Sequence, residues 1–346
     1  MPKTIFVVDD NDVNLETADR ALRDRYRVFT LPGASRMFEM LEKIRPDLIL
    51  LDIEMPEIDG FEALRRLKSD KTYRDIPVIF LTGLSDETTE VTGFEMGVVD
   101  FITKPFSGPV LLNRIRTHLS IESIVRDRTE QLEQLQSGLV YIIADLVESR
   151  DRATGGHIER TAGYLKILID AMVDRGLYID EMTSLDLDAL YSSARLHDIG
   201  KITVPDSVLN KLGSLSLEEF EMMKTHPEAG EQVIDKIINR IGSVKFLENA
   251  KLFAGSHHER WDGTGYPRGL TGTDIPLQGR IMAIVDVYDA LLSDRAYKKQ
   301  YTEEEVVDIV RVNKGKLFDP YIADVFIDVI DDISEARREF FAKLAP

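Results

Sequence analysis

Five of the six histidines, His157, His197, His226, His257 and His258, fall in one region of a chain that contains no cysteine. A buried histidine is usually an ordinary core residue, but two carboxylates change that reading. Asp198 directly follows His197, and Asp286 lies in an apolar helical stretch where an unpaired carboxylate would be costly to bury. Imidazole nitrogens with carboxylate oxygens and no sulfur suit Fe, Mn, Zn or Ni, and the set exceeds the needs of a single ion. One divalent transition metal takes His157, His197, Asp198 and Asp286, and a second takes Asp198, His226, His257 and His258, with Asp198 as the bridge. Two cations about 3.5–4 Å apart can share a hydroxide and clamp the attacking and leaving oxygens of an in-line displacement at phosphorus. The expected chemistry is phosphoester hydrolysis.

A second set lies near the N-terminus: Asp9 and Asp10, Asp52, Thr82 and Lys104. Carboxylates gathered in one place repel one another unless a hard, oxygen-liganded cation neutralises them, which points to Mg²⁺ held by Asp9, Asp10 and Asp52. Asp52 is then the nucleophile toward a phosphoryl group, whose oxygens Thr82 and Lys104 can receive.

Each set needs its own scaffold, and 346 residues with 43% hydrophobic content suffice for about two domains at roughly 150 residues each. The apolar runs Thr4–Val8, Tyr26–Thr30, Leu48–Leu51, Val78–Leu81 and Val98–Ile102 alternate with helical-period segments, which predicts a doubly wound, five-stranded parallel sheet. In such a sheet the acidic set converges on the rim at the strands' carboxyl ends. A long helix follows from Leu111 into Leu146, its apolar positions Ile121, Val125, Leu132, Leu135, Leu139, Ile142 and Leu146 interrupted by Arg128. A helix packed on its own chain and a dimeric coiled coil both fit that pattern. Helices are predicted at His157–Asp174, Leu185–Leu196, Leu217–Lys224, Gly230–Ile241, Arg280–Leu291, Thr302–Arg311 and Pro320–Leu344, so the second domain is all-α. A long glycine-rich loop, Asp262 to Pro276, interrupts it. His118, near the end of the first domain's last helix, reads as a surface residue without chemistry.

The net charge of −18 disfavours binding to DNA or to an anionic membrane surface, so a phosphate ligand needs a local cationic site. Absence of cysteine excludes disulfides and fits a reducing compartment. No apolar run approaches the ~18 residues of a membrane span, and the chain reads as soluble and cytoplasmic, without membrane insertion.

Val7–Val8–Asp9–Asp10, Leu51–Asp52–Ile53–Glu54–Met55–Pro56, Asp59–Gly60, Thr82–Gly83 and Lys104–Pro105 resemble the receiver domain of two-component response regulators over residues 1–122. The resemblance implies a flavodoxin-like receiver, phosphorylation of Asp52 by a cognate histidine kinase, and Phe101 as the switch aromatic.

Gly156–His157, His197–Asp198–Ile199–Gly200–Lys201, His226–Pro227, the run from His257–His258 through Gly263–Thr264–Gly265–Tyr266–Pro267, and Asp286–Val287–Tyr288–Asp289 resemble the HD-GYP subgroup of the HD phosphohydrolases over roughly residues 139–340. By that resemblance the domain at 139–346, reached through a helical linker at 123–138, cleaves cyclic di-GMP to pGpG and on to GMP. Asp198 and Lys201 are then catalytic, Arg295 and Lys298 contact phosphate, and Gly265, Tyr266 and Pro267 shape a substrate loop. Some members add a third metal through a glutamate four residues before the first histidine; Ala153 stands there, so two metals are expected. Regulation through a homodimer is expected. The rival readings are a signalling module that binds cyclic di-GMP or diguanylate cyclase partners, and a phosphohydrolase for another nucleotide.

Overall fold

Strands buried on both faces must be apolar throughout, and a computed structural model describing residues 2–83, 87–151, 156–183, 185–293 and 301–344 shows which runs meet that condition. Five parallel strands, β1 (Thr4–Val8), β2 (Arg27–Leu31), β3 (Leu48–Asp52), β4 (Val78–Thr82) and β5 (Asp100–Thr103), lie in the order β2-β1-β3-β4-β5. The central β3 and β4 are buried at every residue, whereas β2 at the edge exposes Arg27 and Thr30. Two strands start later than expected for local reasons. Tyr26 still donates its N–H to Leu22 in the preceding helical turn, and Gly97 turns at φ 94° before β5 can pair.

Helices α1 (Asp12–Leu22), α2 (Ala34–Leu41), α3 (Gly60–Ser69), α4 (Glu87–Glu95) and α5 (Gly108–Glu148) follow the strands. The Asn11 side chain caps α1 through the Val13 N–H, and that of Asp59 caps α3 through the Glu62 N–H. The strand alternation sends Phe6, Val8, Ile49, Leu51 and Phe80 to one core with α2 and α3. It sends Ile5, Val7, Leu50 and Leu81 to the other, with α1 and with Leu111 and Ile115 of α5.

The chain divides into two units, Met1–Leu132 and Glu133–Pro346, and the division falls inside α5. That helix spans 41 residues, about 60 Å at the usual ~1.5 Å rise, and extends beyond its predicted limits at both ends.

The second unit holds α6 (His157–Asp174), α7 (Ile179–Met182), α8 (Leu187–Ser193), α9 (Asp206–Leu209), α10 (Leu217–Met223), α11 (His226–Ile241), α12 (Lys245–Ser256), α13 (Leu277–Leu292), α14 (Glu303–Val312), α15 (Pro320–Asp328) and α16 (Ile330–Leu344). Short 3-10 turns lie at Ala194–Leu196 and Ile199–Thr203. α6 and α13 form its centre, with Tyr164, Leu168, Ile281, Val285 and Tyr288 buried between them. The Val140, Ala144 and Val147 face of α5 is also buried there, Val140 and Val147 in one cluster with Leu196, Ile199, Ile234 and Ala254.

Three expectations change. α12 was not anticipated. The predicted Pro320–Leu344 helix breaks at Val329, where neither glycine nor proline signals a stop. The segment predicted from Leu185 becomes helical only at Leu187, where the Asp186 side chain caps it. Among the described residues no helix is long and apolar enough to cross a membrane.

Candidate metal centre and phosphoacceptor site

Helix ends gather the histidines. His157 opens α6, His226 opens α11, His257 and His258 follow the last residue of α12, and His197 and Asp198 link the two 3-10 turns. Gly200 makes the approach possible: a Cβ there would lie 1.8 Å from the His226 carbonyl oxygen, so only glycine lets the second turn press against the start of α11.

The imidazoles are oriented from behind. His197 Nδ1 lies 2.9 Å from the Ala194 carbonyl, His226 Nδ1 2.8 Å from that of Met223, and His257 Nδ1 2.9 Å from that of Ala254. A carbonyl oxygen can only accept, so each ring donates from Nδ1, and the bare Nε2 lone pair faces the centre. His226 Nε2 and His257 Nε2 stand 3.1 Å apart. Asp198 Oδ1 lies 3.5 and 3.7 Å from these two atoms, and its Oδ2 lies 3.5 Å from His197 Nε2. His197 Nε2 is buried without a hydrogen-bond partner among the described residues. Acceptors aimed at acceptors repel, and a cation among them removes the conflict.

On the other flank His157 Nε2 is 3.2 Å from Asp286 Oδ1, while its Nδ1 is 2.8 Å from Asp289 Oδ2. His157, His197 and Asp198 offer atoms within 4.8 Å of one another, as do His226, His257 and His258, and either trio could hold a metal ion.

Electrostatics follow from this crowding. Burial, assisted by neighbouring imidazoles, pushes His197 and His226 down to about 4 and His258 well below its usual value, so these rings stay neutral. Burial also works against charge on His157, but the hydrogen bonds its ring donates to Asp286 and Asp289 prevail and raise it to about 10. Asp198 stays ionised against its burial because Lys201 and the imidazoles surround it. Lys201 Nζ, 2.7 Å from Asp198 Oδ2, is held charged against burial by that carboxylate and by Asp151.

In the first unit Lys104 Nζ bridges Asp9 Oδ2 and Asp52 Oδ2, each at 2.7 Å. Asp9, Asp10 and Asp52 present oxygens within 4.8 Å of one another, with Asp10 exposed and the other two buried. Burial chiefly, with the Asp9 charge, lifts Asp52 above the usual carboxylate range despite its bond to Lys104. Thr82, buried at the end of β4, accepts the Lys104 N–H at its carbonyl at 2.7 Å. Phe101 is buried edge-on against Phe80 and Phe94, at centroid distances of 5.7 and 5.1 Å. His118 is not a surface residue at a helix end: it is mostly buried, its Nε2 is 3.0 Å from Asp100 Oδ2, and α5 runs on past it.

Comparison with known proteins decides the family. The model of the HD domain matches residues 141–322, and that of the response regulator receiver domain matches residues 5–116. A Vibrio cholerae protein named "Probable cyclic di-GMP phosphodiesterase" is 39% identical over 97% of this chain and 80% of its own length. The chain belongs to the HD-domain response regulators. The cyclic di-GMP phosphodiesterase response regulator RpfG of Xanthomonas campestris is 36% identical over 82% of the chain and 75% of its own length. Another Vibrio cholerae relative, 36% identical over 60% of the chain and 37% of its own length, is named 3′3′-cGAMP-specific phosphodiesterase 2.

In this HD-domain response regulator the glycine-rich loop folds back onto the histidine pair. A Cβ on Gly265 would lie 2.3 Å from the Arg260 nitrogen, so its small size serves loop closure. Tyr266, followed by a cis bond to Pro267, lays its ring against His258 at 4.8 Å between centroids and a 32° tilt. Arg295, Lys298 and Ala153 lie outside the described residues.

Two residues of the site escaped sequence reasoning. Asp289, fully buried, orients His157 and accepts from Arg160 Nε at 2.7 Å. Its signal was its place three residues after Asp286 on one helix. Glu259, 2% exposed, accepts the Arg268 and Leu270 N–H groups at 2.8 and 3.0 Å and so folds the loop.

Proposed function

We propose that this HD-domain response regulator hydrolyses cyclic di-GMP to pGpG and on to GMP with two divalent transition metals, under control of Asp52 phosphorylation by a cognate histidine kinase. The observation that carries the reading is the set of three bare Nε2 atoms, of His197, His226 and His257, facing the ionised Asp198, each ring fixed through its Nδ1. His157, His197, Asp198 and Asp286 would hold one ion, and His226, His257 and His258 a second, shared through Asp198. Fe, Mn, Zn or Ni suits such donors. Bound there, the ions would polarise the phosphodiester and ease loss of a proton from water.

The protein's own groups supply the rest. The Lys201 ammonium, kept charged by Asp198, stands ready to donate to a phosphate or leaving oxygen. Tyr266, packed against His258, could stack on a base, and Gly265 and Pro267 shape the loop that carries it. Arg295 and Lys298 supply positive charge for substrate phosphate in an otherwise acidic chain. In the receiver, Asp9, Asp10 and Asp52 would hold Mg²⁺, Asp52 accepts the phosphoryl group, and Thr82 and Lys104 bind its oxygens while Phe101 responds.

Turnover of cyclic di-GMP with Mn²⁺ or Fe²⁺ under anaerobic conditions, with elemental analysis, tests this. Two transition-metal ions per chain and activity lost on chelation are expected, and three ions would contradict the assignment. Metal retained without turnover of any cyclic dinucleotide would favour a module that binds partners such as diguanylate cyclases. Competition by 3′3′-cGAMP reads the base preference.

Asp52→Asn is expected to leave HD-site metal content unchanged while abolishing phosphoryl uptake and its effect on activity. Regulation lost while labelled phosphate is still incorporated would refute Asp52 as the acceptor.

Assembly follows from α5. Ile121, Val125, Leu132, Leu135, Leu139, Ile142 and Leu146 are 51% to 66% exposed and alternate at spacings of four and three, with Arg128 completing the register. Thr129, Gln131 and Gln136 flank its middle without charge and Arg128 is its one charged position, so a homodimer through this seam is proposed. Leu135→Glu with Leu139→Glu should convert dimer to monomer by sedimentation without loss of helix signal.

A further inference from the structure

The last residue of α5 and the residues just after it reach the candidate metal site. Gly156, at the N-cap of α6, has no side chain to cap the helix, and Glu148 Oε1 accepts the His157 N–H at 2.6 Å instead. Three residues on, Asp151 Oδ2 lies 3.3 Å from Lys201 Nζ, which also contacts Asp198 Oδ2 at 2.7 Å. Asp151 is 8% exposed, so this contact is shielded from solvent. Arg150, between them, donates to the carbonyls of Ile202 and Val204 at 2.8 and 3.1 Å, and Asn210 Nδ2 donates to the Arg150 carbonyl at 2.8 Å. The buried Val140, Ala144 and Val147 hold the preceding turns against the same core.

We infer that Glu148 and Asp151 are positioning residues of the hydrolase site, Glu148 fixing the main chain of His157 and Asp151 fixing the Lys201 ammonium. The inference rests on the metal-dependent phosphodiesterase reading. It adds that the end of the helix which begins in the receiver is part of the site's framework. A lysine on a flexible four-carbon stem has many positions available; contacts to two carboxylates restrict them. A helix whose first N–H groups lack a local cap keeps its N-terminus in place only while an acceptor from elsewhere holds it.

The test uses the full chain and two readouts, Mn²⁺ affinity of the HD site with the receiver saturated by Mg²⁺, and kcat and KM on both cyclic di-GMP and bis(p-nitrophenyl) phosphate. Groups that orient a metal ligand typically change affinity or activity by about 10–100-fold when removed. Glu148→Ala should therefore weaken Mn²⁺ binding about tenfold, while Glu148→Gln, which keeps an acceptor oxygen, should stay within about twofold of the unaltered chain. Asp151→Ala should keep Mn²⁺ but lower kcat about tenfold with KM nearly constant, and Asp151→Asn should fall between. Far-UV circular dichroism selects the folded variants. Glu148→Gln as weak as Glu148→Ala, or Asp151→Ala with unchanged kcat, would overturn the inference. Hydrolysis of bis(p-nitrophenyl) phosphate without that of cyclic di-GMP would overturn the substrate reading alone, and the Mn²⁺ and kcat comparisons would still decide the positioning roles.

Discussion

Asp198→Ala is expected to lower phosphodiester hydrolysis by more than about 10³-fold and to release both transition-metal ions together, because groups acting as a unit fail as a unit. Oδ1 of this carboxylate faces His226 and His257, and Oδ2 faces His197 and Lys201. This single carboxylate therefore touches both histidine groups and the lysine. Elemental analysis after dialysis, alongside an activity assay and circular dichroism, checks the result. Retention of one tightly held ion per chain would show two independent sites and remove the bridging role.

Lys201→Ala should behave differently. The metal ligands remain, so both ions should be retained, while kcat drops about 10²–10³-fold, the usual loss when one donor to a developing negative charge is removed. KM should change less than kcat if the ammonium acts on the transition state more than on the bound substrate. Lys201→Arg should not restore the rate, because a planar guanidinium cannot reproduce a point charge held between Asp151 and Asp198. Equal effects on kcat and metal content would instead mark Lys201 as part of the metal framework.

Much of this site could be read before any coordinates. Parallel strands place Asp9, Asp52, Thr82 and Lys104 on one rim by topology alone, so their order along the chain carried the receiver site. The candidate HD ligands stand out by residue type, since imidazoles and buried carboxylates have few other uses in such number. α12 was legible in principle, with Phe246, Ala250, Phe253 and Ala254 at helical spacing and all buried. Asp289 left only the hint of its spacing from Asp286, and the roles of Glu148 and Asp151 were not legible. Each acts on a residue brought close only by folding, as Asp289 does on His157 across 132 positions of sequence. Gly200 is similar: its need for hydrogen in place of a side chain comes from the His226 carbonyl, which no local pattern announces.

The carbonyls behind His197, His226 and His257 have a consequence for how the chain acquires its ions. The anchors behind His197 and His257 belong to helical turns that bury Leu196 and Ala254, so packing of the chain itself orients these two rings. A set of nitrogen and oxygen donors oriented in this way suits several first-row ions. Which one occupies it is decided by the cell's supply, so preparations from iron-rich and manganese-rich cultures would share one architecture while differing in their chemistry.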